Sequence, residues 1–162
     1  LVATCLLHCG ILVTLLAWTL FEIDGLRVPR SWFPAALAIV VGLGLALPGV
    51  QSVAAAPWPP ADAWWRGLVV SAAGILAAAI VGRLLGNAAV TEGLALVGAG
   101  LGWQATLTTA ALILAVAATR SGGAGKVSKV FRVRGVSMVD LLLAALIQVL
   151  CWRWLALPAL VL

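Results

Sequence analysis

The chain has 162 residues, 64% of them hydrophobic and 9% charged, with a net charge of +5. A soluble domain carries about 25% charged residues, so this composition excludes an ordinary soluble domain. It points to one all-α domain over residues 1–162, a polytopic transmembrane helical bundle.

A pI near 10.1 does not call for nucleic acid. A basic excess on one side of a membrane accounts for it, and membrane lipid is the expected surrounding.

The first apolar segment covers about residues 1–21. It is too long and too evenly apolar for the h-region of a signal peptide, and it lacks a basic n-region. Cys5 and Cys9 lie one helical turn apart within it, beside His8. A metal site needs further ligands. The expectation is small, buried, inert cysteines, with no metal and no cofactor. A short polar loop follows, carrying Glu22, Asp24, Arg27 and Arg30. Segment two covers about 32–50, with Pro34 in its first turn, where a missing N–H costs little. Pro57, Pro59 and Pro60 exclude helix from the loop at 51–65. Segment three covers about 66–85.

The stretch from Gly86 to Arg120 organises the rest. It holds no charge between Glu92 and Arg120, a run of 27 residues, longer than the roughly 20 that one crossing needs. Charge decides how it is used. The linker at 120–135 carries Arg120, Lys126, Lys129, Arg132 and Arg134 and no acid, so it is cytoplasmic. Arg27, Arg30 and Arg83 put the first and third connections on that same side. The loop at 51–65 has no Lys or Arg and lies outside. The linker returns to the cytoplasm only if the central stretch crosses twice. The expected segments are therefore 92–103 and 104–119, turning near Gly102 and Trp103, with a last segment at 136–157. Tryptophans prefer the membrane–water interfaces. Six segments put Trp58, Trp64, Trp65, Trp103, Trp152 and Trp154 at the outer face, and Trp18 and Trp32 at the inner one. The first central half, about 12 residues and roughly 18 Å long, cannot span unaided and must pack against neighbours. Gly98, Gly100 and Gly102 suit close helix approach.

This order of elements resembles the membrane domain of the type IV prepilin peptidases, a group of GxGD aspartyl peptidases. Four features carry the resemblance. Ile23-Asp24 followed by Pro29 is similar to the family's first aspartate motif. Val81-Gly-Arg83 ends a helix as it does there. Val97-Gly-Ala-Gly-Leu-Gly-Trp-Gln104 is close to the phrase that ends the family's central apolar run. A final helix follows a basic linker. The resemblance implies cleavage of leader peptides from type IV pilin-like precursors at the cytoplasmic face of a bacterial inner membrane. Pilin-like precursors would be the partners. The departure falls at the second aspartate. In the family's spacing, GxGD coincides with Asn87-Ala88-Ala89-Val90, which has neither the glycines nor the acid, and Glu92 stands where a lysine is usual. The family's cysteine insert is also absent.

Aspartyl proteolysis needs two carboxylates a few ångströms apart, sharing a proton and activating one water. Asp24 and Glu92 are the candidate pair. Against that role, Asp24 reads as a loop acid paired with Arg27 or Arg30. Glu92 reads as an acid near a helix start, with Thr91 at the cap. A displacement of two residues turns a side chain about 200° around a helix. Glu22 and Asp140 are further acids, the second in the cap region of the last segment. Gln104, Thr106, Thr108, Thr109 and Gln148 are expected to hydrogen-bond between helices. The alternatives to a peptidase with impaired activity are a non-catalytic scaffold or precursor-binding subunit, and an unrelated small transporter.

Overall fold

The computed structural model describes residues 2–26, 29, 31–46, 65–120 and 136–155. Expectations for Arg27, Arg30, the loop prolines, Trp58, Trp64 and the basic linker lie outside the described residues, as do the side chains of Trp152 and Trp154. Six helices form: α1 Val2–Ile23, α2 Trp32–Ala46, α3 Arg66–Leu85, α4 Ala88–Leu101, α5 Trp103–Arg120 and α6 Met138–Leu155. By length and composition, α1 and α3 are long enough and apolar enough to cross a membrane; the other four are shorter apolar helices.

Each helix runs antiparallel to the one before it. Gly67 at the start of α3 lies against Gly44 near the end of α2, and Gly82 near the end of α3 lies against Thr91 at the start of α4. Thr108, early in α5, donates to the Gln148 side chain, late in α6, at 2.7 Å. The ends of α1, α3 and α5 therefore share one end of the bundle with the starts of α2, α4 and α6. The turn at Gly102 lies at the opposite end.

The central stretch is central in space as well. Helix α4 packs against all five other helices. Residues Gly93–Leu101 are buried without interruption, as expected of a helix that is apolar all round. The other five form a ring about it in the order α1, α6, α5, α3, α2, and α2 touches α1 only thinly. Glycine makes the tightest contact possible. A Cβ at Gly74 would land on the backbone of Gly98, and one at Gly98 on the backbone of Gly74. Here α3 and α4 meet backbone to backbone, the packing that small residues allow in apolar bundles. Ser71 adds a hydrogen bond to the Ala99 carbonyl at 2.7 Å.

The turn between α4 and α5 falls where the charge argument puts it. Gly102 has φ 90° and ψ 173°, a region that only glycine adopts freely. Helix α4 starts four residues before the expected position 92. Asn87 is extended and its side chain accepts from the amides of Ala89 and Val90 at 3.0 and 3.4 Å. That is an N-cap, so the cap is Asn87 and not Thr91. Two further expectations change. Cys5 and Cys9 are exposed rather than buried. Trp18 lies toward the expected end of the bundle, against Phe33 at a ring separation of 6.2 Å, but it is 2% exposed and faces the core.

Candidate functional site

The candidate acids gather at the end of the bundle where α1 finishes and α4 and α6 begin. The start of α6 is the hub. Ser137 and Asp140 form a cap in which Asp140 Oδ2 accepts from the Ser137 amide at 3.0 Å and from its hydroxyl at 3.2 Å. This is the reciprocal half of a capping box, with aspartate at the third position. The next amide, that of Met138, donates to Glu22 Oε2 at 2.8 Å. Two carboxylates from two helices thus satisfy consecutive N–H groups of one helix start, where anions also complement the helix dipole.

Two further contacts join this hub to its neighbours. The Asn87 amide nitrogen donates to the Val136 carbonyl at 2.8 Å. The Thr19 hydroxyl donates to the Leu15 carbonyl at 2.8 Å and approaches the Met138 carbonyl at 3.3 Å. So α1, α4 and α6 are tied by polar groups at one level. Asp140 is 1% exposed, a buried acid held by hydrogen bonds in the way burial demands.

Asp24 and Glu92 are placed differently. Asp24 lies in the turn that ends α1, where its amide donates to the Leu20 carbonyl at 2.9 Å and Gly25 follows at φ 67°. Its side chain is exposed. Glu92 lies in the second turn of α4 and is exposed too. The contacts above put both at the same end of the bundle. Among the described residues neither carboxylate has a hydrogen bond or ion pair, to the other or to any group. Val90, at the position expected for the second aspartate, is 0% exposed and belongs to the apolar core. Gly93, one turn on, is walled by Leu15, Leu141 and Met138. Position 90 is therefore a closed position of the apolar core.

Chemically, the arrangement holds two carboxylates as acceptors of backbone N–H groups. That fixes their orientation, and it is a structural task. Among the described residues no three His, Cys, Asp or Glu side chains come together as metal ligands. Sequence reasoning named Glu22 only as a further acid and Asn87 only within the stretch that departs from the GxGD motif, and it gave neither the structural role seen here. Asn87 had a readable signal, an Asn directly before an apolar run. Glu22 had none, because its partner is 116 positions away. Of the expected interhelical groups, Thr108 and Gln148 pair. Thr106 bonds back to the Gly102 carbonyl in its own turn, and the buried Thr109 hydroxyl has no partner.

No family model, no curated protein and no solved structure matches the chain.

Proposed function

We propose that the chain is an integral protein of a bacterial inner membrane, with a prepilin-peptidase-like bundle that binds pilin-like precursors and does not cleave them. The membrane part rests on the surface. Twenty-two large apolar side chains are exposed among the described residues, on every helix but α4, far more than a soluble protein leaves in scattered patches. Helices α1 and α3, at about 1.5 Å per residue, match the roughly 30 Å hydrocarbon core. The six-helix order and the glycine turn before Trp103 agree with the arrangement the resemblance implies.

The observation that carries the non-catalytic part is Val90. Water activation between paired acids needs a second carboxylate, and the position the resemblance assigns to it is closed by apolar packing. Glu92 is the nearest acid in sequence, and it faces outward from α4.

The test reconstitutes the chain in phosphatidylethanolamine/phosphatidylglycerol vesicles with a precursor that has a basic leader and an apolar helix. The reading predicts a cross-linked complex and an uncut precursor. Cleavage lost in both Asp24→Asn and Glu92→Gln would establish an enzyme with a relocated second acid. Absence of both complex and cleavage would sink the pilin connection and leave a membrane subunit of another kind.

A further inference from the structure

We draw no further inference here: the strongest candidate, the half-open apolar groove between α1 and α2, which has in its lining the Trp18 indole N–H, unpartnered among the described residues, carries nothing because nothing in the structure shows what covers it.

Discussion

The Glu22 carboxylate accepts the backbone N–H of Met138 at 2.8 Å, across 116 positions of sequence. This contact ties the end of α1 to the start of α6. It gives the acid beside Asp24 a structural partner, while Asp24 itself faces outward. Removing the carboxylate leaves an orphan amide at the start of α6 and removes a charge that complements its dipole. Glu22→Ala is expected to cost about 1–2 kcal/mol. Glu22→Gln keeps an acceptor and should lose less. Thermal unfolding in detergent measures both, with Asp24→Ala as a control that stays within about 0.5 kcal/mol. Equal effects of Glu22→Ala and Asp24→Ala would show that the contact does not hold the helices.

Val90 invites the opposite experiment, since an aspartate there restores the acid of the resembled family. The site is sealed and apolar. Val90→Asp is expected to destabilise by about 3 kcal/mol or more, because it buries an acid in the apolar core. The variant should also remain unable to cleave a precursor. Unfolding in detergent reads the first outcome. A Val90→Asp chain as stable as the parent would reveal room and partners for a carboxylate at this position.

The meeting of Gly74 and Gly98 predicts a large effect from a small change. An added methyl at either residue collides with backbone, which cannot rotate away as a side chain can. Gly74→Ala should cost about 1–3 kcal/mol, the usual range for overpacking, despite the better helix propensity of alanine. Gly42→Ala meets open space and should be neutral or stabilising by up to about 1 kcal/mol. A stabilising Gly74→Ala would mean that α3 and α4 do not touch at this point.

Much of the fold was legible because it follows from one-dimensional quantities. Apolar run length and the placement of Lys and Arg fixed the six segments, and parity required the turn that Gly102 makes. Helix ends were less legible where a cap decided them. Asn87 starts α4 four residues early because its side chain satisfies two amides, a local effect that the count of apolar residues does not contain. The cysteines show a different limit. Which face of α1 turns inward depends on the other five helices, and an evenly apolar segment carries no stripe to announce it. The site was least legible. Asp24 and Glu92 stood out as acids near apolar runs, yet it is Glu22 and Asp140 that the bundle engages. Their partners are amides at the start of α6, which every helix has and no residue letter marks.

The account depends most on a membrane bundle that turns back at Gly102, with its basic linker in the cytoplasm. Single-cysteine labelling tests this directly. With Cys5, Cys9 and Cys151 replaced by serine, Lys126→Cys and Trp103→Cys report the two ends. In intact spheroplasts an impermeant maleimide is predicted to label position 103, which is exposed at the turn. Position 126 should react only after the membrane is opened. Labelling of position 126 from outside, with position 103 protected, would contradict the account.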